Sequence, residues 1–563
     1  MDVLQRYRGA DFGHDLTAGG IVAVITVPQA IAYAFLAGLP PEAGLYACLA
    51  PLVIYAALGS SRHLAVGPVA IAALMVAATI GQYAAAYDQA HLEISIVLCL
   101  QAGLMLWLLR LLQMGGLVNL LSHPVITGFV NAAAFLIIVS QLPAFTGIGP
   151  GIADDPFNQL IDLASRWQEI NVIAIALGIG ALAALLLISR YGVAMARLLK
   201  ADIEDEHPVS RLGPMVVAVL GAAAVAIWQL DTQFGVAVVG YVPPGLPSFT
   251  LPSFQWQLWV DVAPAAAMIA VVAYVESYSI GTTLATRQRT RVNAHQELIA
   301  LGAANIGAAF TGAYPVAGSF SRSSLNYQAG GRTQVSSLVC AAVIVISLLF
   351  LTPLFAMLPH AALAAIVVVS VIGIVDLSSA SRHWRVYRED SITELVTLVT
   401  VVVFGVETGL ITGVALSIAF FVRTSSRPHI TIVGRIANTE HFRSARRYSV
   451  ETFPHVAAIR IDENVYFANA NQIENKLLKL VQRRPGTKHV LLVMSAVNMI
   501  DISGLEMFYR FNQNISAMGI KLHLSEVKGP VMEQFEATDF VMQLTGSVFF
   551  TTDQAMRDLA ERT

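Results

Sequence analysis

The chain has 563 residues, 56% hydrophobic and only 13% charged, with a formal net charge of −3 and a mean hydropathy of +0.65. A soluble domain carries about 25% charged residues, so a purely soluble globule is excluded and an integral membrane protein with many spans is implied. Cys48, Cys99 and Cys340 lie far apart in apolar stretches, which excludes a disulfide framework and a cysteine metal site.

In chain order, apolar segments are predicted to span at about 17–37, 42–59, 68–83, 92–112, 122–142, 170–189 and 212–230. A second set follows at about 261–281, 295–311, 318–330, 335–357, 360–376, 391–405 and 408–422. The first segment lacks the short apolar region and cleavage pattern of a secretory signal, so none is expected. The segments after Pro68 and after Pro315 are the shortest and the most interrupted by Gly and Pro, and each is third in its set of seven.

Charge placement supports this map. With the amino terminus inside, the loops on that side carry Arg62, Arg110, Arg190, Arg197, Lys200, Arg211, Arg287, Arg289, Arg291, Arg332, Arg382, Arg385 and Arg388, with Arg6, Arg8 and Arg423 at the inside ends. The opposite loops carry only Arg166, beside Asp154, Asp155, Asp162 and Glu169, and 231–259 has no Lys or Arg. Composition shifts near Arg423, giving a membrane domain at about 1–425 and a soluble domain at about 430–563. The tail predicts strands over His429–Ile436, Val456–Phe467, Lys488–Val493, Lys521–Ser525 and Val548–Thr551. Helices are predicted over Ala470–Arg483, Ser503–Met518, Val531–Leu544 and Asp553–Arg562, which together make a small α/β layer fold.

Arg322 is the one Lys or Arg deep inside a predicted span, Arg110 standing at the inside end of its own. An arginine at mid-bilayer costs roughly 2.5–3.5 kcal/mol on insertion scales, so it should face protein or a water-filled cavity. Gly318, Ser319, Ser321, Ser323 and Ser324 surround it with small residues and hydroxyl donors, a setting that suits an anion. Val66-Gly67-Pro68-Val69-Ala70 and Pro315-Val316-Ala317-Gly318-Ser319 each place a Pro-broken stretch before a short apolar run. Pro suits a first helical turn. Two half-helices in matching positions of inverted repeats would aim their free N–H groups at one anion site near the midplane; ordinary kinked spans are the alternative. In the first span, Gln29 and Tyr33 are four apart on one helix face, and both donate hydrogen bonds. They either contact an oxyanion or hold helices together. Glu276 is a carboxylate at membrane depth that carries a proton, pairs with Arg322 or binds a sodium ion. Glu407 falls in a very short loop at the outer surface. No Ser-His-Asp order, metal cluster or phosphate loop emerges, so no enzyme activity, cofactor or nucleic-acid partner is expected.

Several motifs together carry a resemblance. Pro28-Gln29-Ala30-Ile31-Ala32-Tyr33, Ala37-Gly38-Leu39-Pro40-Pro41-Glu42-Ala43-Gly44-Leu45-Tyr46, Gly67-Pro68, Glu276 and Gly318-Ser319-Phe320-Ser321-Arg322-Ser323 resemble the sulfate permease family, the bacterial counterparts of the solute carrier 26 anion transporters. Ile500-Asp501-Ile502-Ser503-Gly504-Leu505 resembles a STAS domain (sulfate transporter and anti-sigma antagonist). The resemblance implies an α-helical membrane protein of fourteen transmembrane segments in two inverted repeats of seven, split into core and gate domains, followed by the STAS domain. It also implies a homodimer. The substrate is then expected between the half-helices of spans three and ten. Gln29, Tyr33, Val69, Ala70, Ser319, Phe320, Ser321 and Arg322 fall at substrate-binding positions, and Glu276 at the position tied to cation coupling. Sodium-coupled bicarbonate members tend to carry Asp there, so Glu favours a proton over sodium.

Ser503 falls where anti-sigma antagonists are phosphorylated; the alternative is a helix cap, with Glu506 three residues on completing a capping box. The expectation is a secondary active transporter of a small inorganic oxyanion, sulfate first, by proton symport. It sits in a bacterial inner membrane with both termini cytoplasmic, and the STAS domain docks an unknown cytoplasmic partner. Bicarbonate, nitrate or a dicarboxylate, and a channel or receptor role, are the alternatives.

Overall fold

A computed structural model describes residues 7, 9–87, 91–116, 122–149, 156–198 and 212–561. Arg6, Arg8, Asp154, Asp155, Lys200, Arg211 and Arg562, used in the charge map and the last predicted helix, lie outside the described residues. The chain divides into two compact units, Met1–Val414 and Ala415–Thr563.

The first unit is helical. Each of the fourteen predicted segments holds helix: α1 (Phe12–Leu36), α2 (Pro41–Leu58), α3 (Ala70–Tyr87), α4 (His91–Leu111), α5 (His123–Thr146), α6 (Val172–Leu198), α7 (Gly213–Trp228), α8 (Trp256–Arg287), α9 (Ala294–Phe310), α10 (Phe320–Gln328), α11 (Val335–Phe355), α12 (His360–Ile372), α13 (Arg388–Phe404) and α14 (Val406–Ser425). Among the described residues, eight of these are long and apolar enough to cross a bilayer by length and composition. The cut between the two units falls within α14. Small residues let the helices approach closely: a methyl group built on Gly103 of α4 would lie 2.8 Å from the Gly302 carbonyl of α9. Three short helices escaped the sequence reading: Pro156–Ser165, Leu230–Phe234 and Ser379–Val386.

Two strands at the unit's centre were not anticipated either. β1 (Val66–Gly67) and β2 (Ala317–Gly318) pair antiparallel, Val66 opposite Gly318 and Gly67 opposite Ala317. Both are fully buried. Non-helical backbone at membrane depth is tolerated only where protein or a cavity satisfies its polar groups, and here neighbouring side chains complete the pairing. The Ser277 hydroxyl of α8 accepts from the Gly318 N–H at 2.7 Å, and the Ser323 hydroxyl of α10 accepts from the Ala65 N–H at 2.9 Å. Asn305 of α9 grips both backbone groups of Val316, accepting from its N–H at 2.9 Å and donating to its carbonyl at 3.1 Å. Gln334 donates to the carbonyls of Ser61 and Leu64 at 2.7 and 3.0 Å.

The second unit carries one six-stranded sheet: β3 (Ile430–Arg435), β4 (Phe442–Ser444), β5 (Val456–Ile461), β6 (His489–Val493), β7 (Lys521–Ser525) and β8 (Val548–Phe549), in the order β4-β3-β5-β6-β7-β8. β5 to β8 run parallel, and β3 is antiparallel to both its neighbours. Alternation along the strands divides two cores. Ile459, Leu492 and Leu524 pack with Leu477 of α15 (Ala470–Gln482) and Phe508 and Phe511 of α16 (Ile502–Ser516). Ala458, Leu491 and Val493 face Met556 and Leu559 of α18 (Thr552–Glu561). The predicted helix over 531–544 is split: α17 is Gly529–Glu536, and Phe540–Gln543 forms a separate turn. The strand expected to reach Phe467 stops at Ile461.

Ser503 does not cap α16, contrary to the capping-box reading. The helix starts one residue earlier, at Ile502, and Asp501 is the cap: its carboxylate accepts from the Gly504 N–H at 2.8 Å and from the Phe467 N–H at 2.8 Å. Replacing such a cap by Ala costs about 0.5–2 kcal/mol. Asp501→Ala in the full chain is therefore expected to speed amide exchange in the first turns of α16 by roughly 2- to 30-fold, with Ser503→Ala changing it less than Asp501→Ala does. Equal effects would reverse the assignment of the cap.

Candidate functional site

The β1–β2 ladder sets two Pro-broken segments end to end. Pro68 leads from β1 into α3, and Ser319 leads from β2 into α10. The Ser319 N–H extends the ladder to the Ala65 carbonyl at 3.0 Å, and its hydroxyl accepts from the Arg322 N–H at 3.5 Å as the helix cap. First-turn N–H groups have no acceptor inside their own helix, so both helices bring their positive ends to this junction.

Arg322 is 2% exposed. One guanidinium nitrogen donates to the Pro68 carbonyl across the junction at 2.8 Å. A methyl group on Gly67 would lie 3.1 Å from the other terminal nitrogen, so the guanidinium lies close against β1 and a side chain there would crowd it. The Arg322 Nε has no hydrogen-bond partner among the described residues. Val69 and Ala317 form a small apolar cluster with Ala72 and Ala273, and Ala70 opens α3.

Glu276 lies on α8. Its Oε2 is buried and has no hydrogen-bond partner among the described residues. Arg322 donates to a backbone carbonyl, and among the described residues it makes no ion pair with Glu276, on which it acts electrostatically from further away. Glu276 and Phe320 instead line a 280 Å³ cavity with Ile71, Phe129, Val272, Val275 and Ser279. Phe320 is 47% exposed there. Ser321 is exposed, while Arg322 to Asn326 are buried.

Gln29 and Tyr33 are buried on α1. Both reach Ser370 of α12: the Gln29 amide donates to its hydroxyl at 3.4 Å, and the Tyr33 hydroxyl bonds to the same group. Tyr33 also lies close enough for Arg322 and Glu276 to act on it electrostatically. The predicted residues thus gather in three adjoining groups: the strand junction with Arg322, the Glu276–Phe320 cavity, and the Gln29–Tyr33–Ser370 contact.

Sequence reasoning missed Ser370, Ser277 and Asn305. No local pattern marks a serine or asparagine in an apolar helix as the partner of a strand some distance away. Glu407, assigned to the outer surface, lines a 270 Å³ cavity with Thr79, Gln82 and Thr408.

The family model for the sulfate permease family matches residues 12–397, and that for the STAS domain matches residues 447–555. A sulfate transporter of Arabidopsis thaliana, "Sulfate transporter 4.1, chloroplastic", is 34% identical over 93% of this chain and 76% of its own length. A probable sulfate transporter of Mycobacterium tuberculosis is 32% identical over 97% of this chain and 95% of its own. Among solved structures, the murine solute carrier 26 member A9 anion transporter in the inward-facing state superposes with a TM-score of 0.90 at 23% identity, covering 99% of this chain and 93% of that one. The transmembrane domain of the cyanobacterial bicarbonate transporter BicA gives a TM-score of 0.61 at 23% identity over 72% of this chain and 98% of that one. The two structural likenesses bear on the fold, which is that of a helical membrane transporter with a carboxy-terminal STAS domain.

Proposed function

We infer what this protein does from one premise: the chain belongs to the sulfate permease family, a multi-pass membrane family of transporters rather than enzymes, and carries a STAS domain. Its proposed activity is secondary active transport of an inorganic oxyanion, with sulfate as substrate and a proton as the coupling ion. The relatives named as sulfate transporters support the substrate. The observation that carries the mechanism is the junction at which β1 and β2 set two helix amino-termini against each other, with Arg322 buried between them. Two helix ends and a permanent cation offset a dianion without any mobile counter-ion.

In this reading Val69, Ala70, Ser319, Phe320 and Ser321 surround the anion at the junction. Gln29 and Tyr33 add donors once they leave Ser370. Glu276, facing the cavity without a partner, takes the coupling proton and so offsets part of the charge moved. Residues 1–425 form the transport domain, fourteen spans in two inverted repeats, and work by alternating access as a homodimer. Residues 430–563 form the cytoplasmic domain that meets a regulatory partner, with Ser503 as the position open to modification. The charge map supports an inner membrane location with both termini cytoplasmic.

Sulfate uptake into proteoliposomes, with the outside made more acidic than the inside, tests the reading directly. Uptake is expected to rise with the gradient and to be suppressed by excess unlabelled sulfate more than by bicarbonate or nitrate. Uptake indifferent to the gradient removes the proton. Suppression by bicarbonate at least as strong as by sulfate removes sulfate as the substrate.

A further inference from the structure

The link between α12 and α13 has features that transport does not use. After α12 ends at Ile372, the chain forms the short helix Ser379–Val386 and then enters α13 at Arg388. One side of the short helix is anchored: Ser379 and His383 bond to the buried Glu394 of α13, His383 at 2.8 Å. Around that anchor the link exposes both apolar and cationic groups. Val386 is 85% exposed, Leu377 77% and Trp384 48%. The Arg388 guanidinium lies over the Trp384 ring, 5.8 Å from its centre.

α13 fixes where this surface sits. Ile392, Leu395, Val399 and Val403 are exposed along it at helical spacing, an apolar stripe that suits lipid tails when the helix spans a membrane. Arg388 lies four residues before Ile392, so it continues that stripe by one turn at its polar end. An arginine at the end of a lipid-facing stripe stands at headgroup depth, where long cationic side chains and Trp rings collect. Arg382 is occupied by Asp376, and Glu389 and Asp390 stand in the first turn of α13. Arg385 and Arg388 make no ion pair among the described residues.

We propose that Arg385, Arg388 and Trp384 form a seat for the headgroup of an anionic phospholipid from the adjoining leaflet, with Val386 and Leu377 against its acyl chains. Cationic residues supply the charge and the Trp the amphipathic edge that such a site needs. The proposal stands apart from the transported anion, since it lies on the lipid-facing side of α13 and shares no residue with the candidate site.

The test is native mass spectrometry of the delipidated full-length protein titrated with phosphatidylglycerol or phosphatidylcholine. Wild type is expected to hold phosphatidylglycerol in preference. The double variant Arg385→Gln/Arg388→Gln is expected to weaken that lipid by about 10- to 30-fold, two surface cations' worth, and to leave phosphatidylcholine unchanged. Arg385→Lys/Arg388→Lys, which keeps the charge, should retain most of the binding and guards against misfolding as the cause. The control Arg446→Gln/Arg447→Gln in the second unit should change nothing. Unaltered phosphatidylglycerol binding in the first double variant would overturn the proposal. So would displacement of the lipid by millimolar inorganic phosphate, which would assign the seat to a free anion.

Discussion

Arg322→Ala is expected to lower sulfate uptake by about two orders of magnitude while the protein still elutes as a folded, monodisperse species. Two losses combine. The substitution removes the one permanent cation at the strand junction, and it leaves the Pro68 carbonyl without the 2.8 Å bond that joins β1 to α10. Buried charge-assisted hydrogen bonds are among the stronger ones, and a loss of about 2.7 kcal/mol corresponds to roughly 100-fold. Arg322→Lys separates the two losses. A lysine keeps the charge but presents a point donor in place of a flat fork, and its ammonium does not lie against Gly67 as the guanidinium does. Retained affinity in the lysine variant identifies Arg322 as a source of field; affinity lost as fully as in the alanine variant identifies forked contact with the anion. Wild-type uptake by a well-folded Arg322→Ala protein would remove Arg322 from the site altogether.

Glu276→Gln is expected to abolish the stimulation of uptake by an inward proton gradient, at least about tenfold, while sulfate exchange across the membrane at equal pH continues. Glutamine has the shape of a protonated glutamate and cannot release the proton. The structure makes this substitution gentle: the Glu276 Oε2 has no protein partner to lose, and the residue borders open space in the 280 Å³ cavity. Among the described residues Glu276 and Arg322 make no ion pair, so the amide removes only their longer-range attraction and breaks no direct contact to the guanidinium. Gradient-stimulated uptake persisting in Glu276→Gln would assign the coupling proton elsewhere. Loss of exchange together with stimulation would make Glu276 a substrate contact.

The helices of the membrane unit were legible because apolar run length and the one-sided placement of arginines are properties of the sequence itself, and all fourteen predicted segments hold helix. The importance of Pro68, Pro315 and Arg322 was also legible, since a proline and a cation inside apolar runs break the local rule. The partners were not. The antiparallel pairing of Val66-Gly67 with Ala317-Gly318 joins residues about 250 positions apart, and two-residue strands leave no alternating pattern. Asn305, Ser277 and Ser370 matter because of what lies opposite them in space. In the second unit the apolar run Val490-Leu491-Leu492-Val493 announced a central strand buried on both faces, while the edge strand Phe442–Ser444, three residues set among arginines and serines, announced nothing. The cap of α16 was misplaced by two residues because Asp501 and Ser503 are both good caps. What decides for Asp501 is its second bond, to Phe467, on a loop far away in sequence.

The β1–β2 ladder also limits how the molecule moves. Each strand is the other's source of backbone hydrogen bonds, and no water stands ready at that depth to replace them. α3 and α10 therefore cannot slide past each other without leaving several polar groups bare, each costing on the order of 1–3 kcal/mol. Any displacement that carries one half-helix across the bilayer must carry its counterpart by the same distance. The two half-helices are thus welded at their starts into a single piece, and damage to either strand at this weld loosens both.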